Sequence, residues 1–140
     1  MKVSIIYAST TGNTQEMAEA IAQGAKSAGA EVIITNAGAA SPSSLEADII
    51  ALGSPAMGDE ILEEEEMEPF FSSIEDKLTG KKVALFGSYD WGDGQWMRDW
   101  EARVTKAGAT LFNGEGLICN LKPEGEEREK CIAFGSALAN

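Results

Sequence analysis

The sequence predicts an α/β fold, in which a doubly wound, five-stranded parallel sheet is covered by helices on both faces. Two observations lead to this prediction. Short apolar segments alternate with helical patterns along the 140 residues, in the order βαβαβαβαβα. This order favours three layers in a single domain spanning residues 1–140. Segments such as Ile49–Leu52 and Val83–Phe86 are continuously apolar, as in parallel strands that are buried on both faces.

Five segments are candidate strands. They are Val3–Ala8, Glu31–Asn36, Asp48–Ser54, Lys82–Gly87 and Thr110–Cys119. The last segment contains the turn-forming run Asn113-Gly114-Glu115-Gly116, so we expect a bend or bulge within it.

Four amphipathic stripes at helical spacing predict four helices between and after the strands. The stripes are Met17, Ile21, Ala25 and Ala28; Met67, Phe70, Phe71, Ile74 and Leu78; Trp96, Trp100, Val104 and Ala107; and Cys131, Phe134, Gly135 and Leu138. Glycines 29, 80 and 108 lie just past helix ends, where a left-handed residue is favoured. Asn13 followed by Glu16 resembles a capping box, and Ser41-Pro42 predicts a fifth, short helix.

The composition excludes several functions. The chain has no histidine, so it has no Ser-His-Asp triad and no Cys-His pair. Its net charge of -12 argues against nucleic acid, whose phosphates require clusters of Lys and Arg. The acidic surface instead favours association with partner proteins that have basic docking surfaces.

The two cysteines and the apolar segments suggest where the protein works. Cys119 and Cys131 are too far apart for a C-x-x-C motif, and we interpret both as buried thiols. With no histidine, no metal site is predicted. No apolar run approaches the ~18 residues of a membrane span, and the N-terminus does not resemble a signal peptide. We therefore expect a cytoplasmic monomer without a membrane partner.

A short polar loop (the first loop, residues 9–14) joins the first strand to the first helix. Its sequence is Ser9-Thr10-Thr11-Gly12-Asn13-Thr14. A helix N-terminus with free N–H groups binds anions, so the loop predicts a phosphate site made of uncharged donors. It matches neither the Walker motif nor the dinucleotide-binding fingerprint. A capped turn rich in Ser and Thr, without a ligand, is the alternative for this loop taken alone.

Two further loops follow strands and meet the first loop at the carboxyl edge of the predicted sheet. The second loop (residues 54–60) contains Met57, whose thioether packs well on an aromatic face. The third loop (residues 88–94) places Trp91 among turn-forming residues, where an exposed indole suits a stacking ligand. Either side chain taken alone could instead belong to the core. Together the three loops predict a planar aromatic cofactor that carries a phosphate.

On these motifs the chain resembles the flavodoxin family over essentially its whole length. The first loop is similar to the family's phosphate-binding signature. The runs Ala56–Glu60 and Ala84–Gly94 resemble the short-chain flavodoxins of clostridia and related anaerobes. The resemblance implies a flavodoxin-like fold with strand order 2-1-3-4-5. It also implies a low-potential one-electron carrier with non-covalently bound flavin mononucleotide (FMN), which shuttles between semiquinone and hydroquinone for partner enzymes.

The chain departs from those relatives at three positions. Ala8 replaces a Trp and Thr10 replaces a Gly, so the first loop is closer to that of sulfate-reducer flavodoxins. Asp90 replaces a Gly and adds a charge beside the expected edge of the flavin ring. The last change bears on redox tuning more than on flavin binding.

The resemblance also assigns roles within the three loops. The first loop would hold the phosphate, and Ser54 and Ser88 would contact the ribityl chain. Met57 and Trp91 would cover opposite faces of the isoalloxazine, and Glu60 would bond its pyrimidine edge. The other residues expected around the flavin are Ala56, Gly58, Asp59, Tyr89, Asp90 and Gly92.

The Met57–Glu60 turn suggests how the potentials are set. Gly58 suits a type II′ turn, whereas a type II turn would place Asp59 at positive φ. A flip of the Gly58–Asp59 peptide would aim a carbonyl at the flavin N5–H after reduction, in a hydrogen bond worth ~1 kcal/mol. Acidic residues around the cofactor would disfavour a second electron and predict a low second potential. These acids are Asp59, Glu60, Glu63, Glu64, Glu65, Glu66, Glu68, Asp90 and Asp93. The run 63–66 taken alone could instead form a solvated helix face.

Two other functions fit this fold class. An FMN-dependent quinone reductase would need a substrate pocket and a nicotinamide site, for which the chain has little spare length. A signalling receiver domain would need acidic residues after the first strand and an acceptor Asp after the third. Ser9-Thr10 and Ser54-Pro55 occupy those positions instead. We therefore expect an electron-transfer protein, not an enzyme.

Overall fold

A parallel sheet forms the centre of the computed structural model, which describes residues 1–140. Its strands are β1 (Lys2–Tyr7), β2 (Glu31–Asn36), β3 (Ile49–Gly53), β4 (Lys82–Tyr89), β5 (Thr110–Leu111) and β6 (Leu117–Asn120). Their order is β2-β1-β3-β4-β5, and β6 also pairs with β4. The predicted doubly wound sheet and the order 2-1-3-4-5 are confirmed.

The predicted fifth strand is divided into β5 and β6. β5 pairs with the start of β4, at Lys82 and Val83, and β6 pairs with its last four residues, Phe86 to Tyr89. Between β5 and β6 lies a 3-10 turn, Phe112–Gly114, in which Asn113 has a φ of 62°. The bend predicted from the run of turn-forming residues is therefore confirmed. Strand β4 ends two residues later than predicted, because its pairing with β6 continues to Tyr89.

Two helices cover each face of the sheet. They are α1 (Asn13–Ser27), α2 (Met67–Ile74), α3 (Gln95–Lys106) and α4 (Glu126–Leu138). α1 and α4 share one buried cluster, which includes Met17, Ile21 and Phe134. α2 and α3 share the other, which includes Phe71 and Trp100. β3, buried at every position, lies between the two clusters.

The local signals for helix boundaries are partly confirmed. Gly29, Gly80 and Gly108 have φ of 95°, 79° and 91°, as expected past helix ends. The segment at Ser41-Pro42 forms a short 3-10 helix, Pro42–Leu45, in place of an α-helix.

The capping box predicted at Asn13 is wrong. Gly12, with a φ of 96°, is the N-cap of α1, so the Asn13 side chain does not occupy the cap position. Asn13 is already the first residue of the helix. None of the helices is long and apolar enough to cross a lipid bilayer.

Candidate functional site

A cleft of about 270 Å³ opens at the carboxyl ends of the strands, where the three loops meet. It is lined by Thr10, Thr11, Asn13, Pro55, Ala56, Met57, Gly58, Glu60, Ser88, Tyr89, Asp90, Trp91 and Leu121. Each of the three loops contributes to this lining, which is the arrangement that the sequence predicted. No Lys or Arg lines the cleft.

The first loop offers unpaired backbone donors. The N–H groups of Thr10, Thr11, Asn13 and Thr14 make no hydrogen bond within the chain. Ser9 supports the loop from within, because its Oγ accepts the Gly12 N–H at 3.1 Å. Free N–H groups at the start of a 15-residue helix form an anion site. The donor set therefore fits a phosphate group.

A buried hydrogen bond joins the first and third loops. The Oγ atoms of Thr14 and Ser88 lie 2.7 Å apart, and both side chains are buried. The cleft lining includes Ser88. It does not include Ser9, Gly12 or Thr14, which support the first loop from behind. Since each hydroxyl holds the other, the bond fixes the distance between these two loops.

The second loop is closed by a small antiparallel bridge between Met57 and Ile61. The Met57 N–H donates to the Ile61 carbonyl at 2.9 Å, and the Ile61 N–H donates back at 3.0 Å. Within this three-residue loop, φ is 46° at Gly58 and 58° at Glu60. Asp59 keeps a negative φ, so the unfavourable backbone falls on Glu60 and not on Asp59. Asp59 itself does not line the cleft.

The Glu60 side chain connects the second loop to α3. Its Oε1 accepts the Gln95 N–H at 2.9 Å and the Gly94 N–H at 3.2 Å. A carboxylate at this position satisfies two free donors and interacts favourably with the helix dipole. Gly92 does not line the cleft, but a side chain there would collide with the Glu60 carboxylate. Glu60 therefore fixes the second loop against the third.

Ser54 does not have the position that a ribityl contact requires. It is fully buried and absent from the cleft lining. Its Oγ donates to the Pro55 carbonyl at 2.9 Å and accepts the Glu63 N–H at 3.1 Å. The expectation for Ser54 is thus corrected, because both hydrogen-bonding directions of its hydroxyl are used inside the loop.

Glu63, which was expected among the acids around the cofactor, neither lines the cleft nor lies on a solvated face. It is only 5% exposed. Its carboxylate accepts the N–H groups of Glu65, Glu66 and Met67 at 2.7, 2.8 and 2.9 Å. Glu63 therefore acts as a buried cap for the start of α2 and holds the far end of the second loop.

Trp91, in the third loop, and Trp96, on α3, have different environments. Trp91 is 59% exposed at the rim of the cleft. Trp96, on α3, is buried, and its Nε1 donates to the Ser54 carbonyl at 3.3 Å. Tyr89, which also lines the cleft, packs on Trp96 with ring centroids 5.7 Å apart. Trp91 thus has a free face for a ligand, whereas Trp96 supports the cleft floor.

The sequence interpretation missed two residues of the lining, Pro55 and Leu121. Leu121 follows β6 and is 48% exposed. The rule that ligands bind at the carboxyl ends of strands also applies to the loop after the last strand. That rule would have indicated this fourth loop.

The cleft combines an anion site in the first loop with a half-buried thioether at Met57 and an exposed indole at Trp91. The comparisons with known proteins agree with this chemistry. The family model described as Flavodoxin matches residues 5–135.

Among curated relatives, the chain is 47% identical to the flavodoxin of Clostridium beijerinckii over 139 residues, which is 99% of each chain. It is 42% identical to the flavodoxin of Megasphaera elsdenii, with 98% of each chain covered. Among solved structures, it resembles two-electron reduced Megasphaera elsdenii flavodoxin with a TM-score of 0.88, covering 99% of this chain and 98% of that one. The chain also resembles a flavodoxin from the domain Archaea, with a TM-score of 0.88 and 30% identity. This match covers 99% of this chain and 96% of that one.

The resemblance drawn from the sequence motifs is confirmed by these matches. They extend over nearly the whole chain and include the strand order. The chain belongs to the flavodoxin family, whose members bind FMN and carry electrons between redox proteins and are not enzymes.

Proposed function

We propose that the chain is a low-potential, one-electron carrier that holds FMN non-covalently in the cleft between its first, second and third loops. The observation that carries this proposal is the combination of unpaired backbone donors in the first loop with the half-buried Met57 and the exposed Trp91, which both line the cleft. FMN supplies the redox chemistry when bound, since its ring accepts electrons one at a time.

We assign the cofactor contacts to the parts of the cleft that match them chemically. The free N–H groups of Thr10, Thr11, Asn13 and Thr14 would hold the phosphate without a counter-charge. Met57 and Trp91 pack on the ring, and Glu60 faces its polar edge. Ser88 and Tyr89 would line the inner wall of the site, and Asp90 its exposed rim.

The charge distribution supports a low potential. Glu60 and Asp90 line the cleft, and no cation lines it to offset them. Electron uptake places negative charge in a region that is already negative, which costs free energy. Asp93 pairs with Arg98 at 2.9 Å on the exposed surface, so it contributes less to this field.

The same acidic surface supports docking to redox partners with basic surfaces. The net charge of -12 would speed association with such partners, and the rate would fall with ionic strength. We place the protein in the cytoplasm as a monomer. The support for that location is that Cys119 and Cys131 are both free, as is usual in a reducing compartment.

Reconstitution of the apoprotein tests the proposal. We expect one FMN to bind per chain and riboflavin, which lacks the phosphate, to bind far more weakly. A stopped-flow measurement with a partner reductase should then show an electron-transfer rate that falls steeply as NaCl is raised.

Two results would contradict parts of this proposal. Rapid bleaching of the flavin by NAD(P)H without a partner would favour the quinone reductase instead. An electron-transfer rate that does not respond to salt would rule out electrostatic docking.

A further inference from the structure

Leu121 combines a strained backbone with an exposed apolar side chain at the cleft. Its φ is 62°, in the left-handed region that bulky residues rarely adopt. The side chain is 48% exposed and lines the cleft beside Tyr89, Asp90 and Trp91. Each feature is unfavourable in the free chain, so together they call for a compensating role.

The conformation of Leu121 is held by hydrogen bonds on both sides. Its N–H donates to the Tyr89 carbonyl at 2.8 Å, which extends the pairing of β6 with β4. The side-chain amide of Asn120 donates to the Tyr89 and Asp90 carbonyls at 3.1 and 3.2 Å. The backbone at Leu121 is therefore fixed to the same segment that presents Trp91.

The chemistry of a leucine selects the part of the ligand that it contacts. An isobutyl group offers nothing to a phosphate, and the first loop already supplies the phosphate donors. It does gain from covering a flat apolar surface, because the exposed half of the side chain then leaves water. Met57 and Trp91 also line the cleft, so Leu121 is a third apolar side chain that can cover a flat ring bound there.

We propose that Leu121 is a further cofactor-contacting residue, which the strained turn after β6 holds over the cleft so that it covers the flavin ring and excludes water from it. This inference rests on the proposed function, because it requires FMN in the cleft. It assigns the fourth loop, after β6, to the ring and not to the phosphate.

Leu121→Ala and Leu121→Gly test this contact. Both remove the apolar group beyond Cβ, and Gly also relieves the left-handed strain. Asn113→Gly is the matched control, because Asn113 has the same φ of 62°, is exposed and lies outside the cleft. Titration of each apoprotein with FMN and with riboflavin gives two dissociation constants, and circular dichroism gives the apoprotein Tm.

We expect both Leu121 variants to raise the Kd for FMN and for riboflavin by the same factor, roughly five- to tenfold, from the lost apolar burial. The Tm of the Leu121→Gly apoprotein should equal or exceed that of Leu121→Ala, because the strain is gone. Asn113→Gly should leave both dissociation constants at the wild-type values.

Three outcomes would overturn the contact. They are an unchanged Kd in either Leu121 variant, a loss confined to FMN, and an equal loss in Asn113→Gly. Failure of the wild-type chain to bind FMN is a different result, since it would remove the proposed function itself.

Discussion

The first loop and the Met57–Glu60 turn both face the cleft, but they are built in opposite ways. The first loop uses backbone N–H groups at the start of a long helix, and its side chains mostly support the loop. The turn is a three-residue excursion with two positive φ values, held at its base by the bridge between Met57 and Ile61.

This difference indicates how binding and redox tuning are divided. Backbone donors on a rigid helix give a fixed site that tolerates changes of side chain, which suits an anchor. A strained turn has conformers of similar energy, so small changes at the ring can shift it. We therefore expect substitutions in the first loop to alter affinity and those in the turn to alter stability and potentials.

The largest effect should come from a charge placed in the first loop. Thr11→Asp puts a carboxylate at the exposed rim of the phosphate site. Repulsion at short range should weaken FMN binding by about 100-fold or more. Riboflavin binding, measured by the same fluorescence titration, should not change.

Gln23→Glu is the control for that charge. It adds the same charge to an exposed position of the same helix, away from the cleft. If Thr11→Asp weakens the binding of FMN and of riboflavin equally, the first loop also orients the ring. The first loop would then not act as an anchor alone, separate from the turn that tunes the potentials.

The second prediction concerns the connection from the turn to α3. Glu60→Gln keeps the shape of the side chain but removes the charge at the helix N-terminus. The apoprotein should lose about 1 kcal/mol of unfolding free energy in a urea titration. Glu64→Gln removes an equal charge from an exposed position outside the cleft and should cost nothing measurable. Equal stabilities of the two variants would show that Glu60 does not hold the turn.

The third prediction tests the backbone of the turn. Gly58→Ala, at a φ of 46°, should cost about 1 kcal/mol of stability. The expected flip of the Gly58–Asp59 peptide on reduction would also be hindered by the alanine side chain. Losing its hydrogen bond to the reduced flavin, worth ~1 kcal/mol, should lower the midpoint potential for the first electron by about 40 mV.

Gly114→Ala is the control for this strain. Gly114 has a φ of 72°, open space around it and no part in the cleft. It should lose similar stability without a change in potential. If both variants keep the wild-type potential, the flip is not part of the tuning.

The smallest effect should come from the exposed rim of the third loop. Asp90→Asn removes one charge beside the cleft and should raise the potential for the second electron by about 20 mV at low salt. The shift should shrink in 0.5 M NaCl, because exposed charges are screened. Glu46→Gln removes a charge just before β3, at the opposite edge of the sheet, and should not shift the potential. A shift of equal size in both variants would point to net charge alone.

The parts of the site that depend on local sequence could be predicted. The first loop follows directly from a strand, a glycine and a helix, and Trp91 stands among turn formers. The hydrogen bonds of Ser54 and Glu60 could not be predicted from local sequence, because their partners lie elsewhere in the chain. The Ser54 hydroxyl is taken by Glu63, and the Glu60 carboxylate by Gln95, 35 positions away.

Leu121 illustrates a different limit. Nothing in its local sequence requires a left-handed backbone, and leucine disfavours one. The conformation follows from the pairing of β6 with the end of β4, which depends on how the fifth strand divides. Strand pairing of this kind is a long-range property, so the loop after β6 could be placed only once the register was known.

The two thiols have a consequence for how the protein withstands its own chemistry. Burial, together with the neighbouring Cys119 and Glu127, raises the pKa of Cys131 to about 12. Burial also raises the pKa of Cys119, whose Sγ lies 3.8 Å from the Leu121 carbonyl, close to the cleft wall. At neutral pH such thiols are almost entirely protonated and react slowly with oxidants. A carrier that passes electrons through many cycles thus keeps its two thiols in an unreactive form, and the thiols of the purified protein should resist alkylation by iodoacetamide until it unfolds.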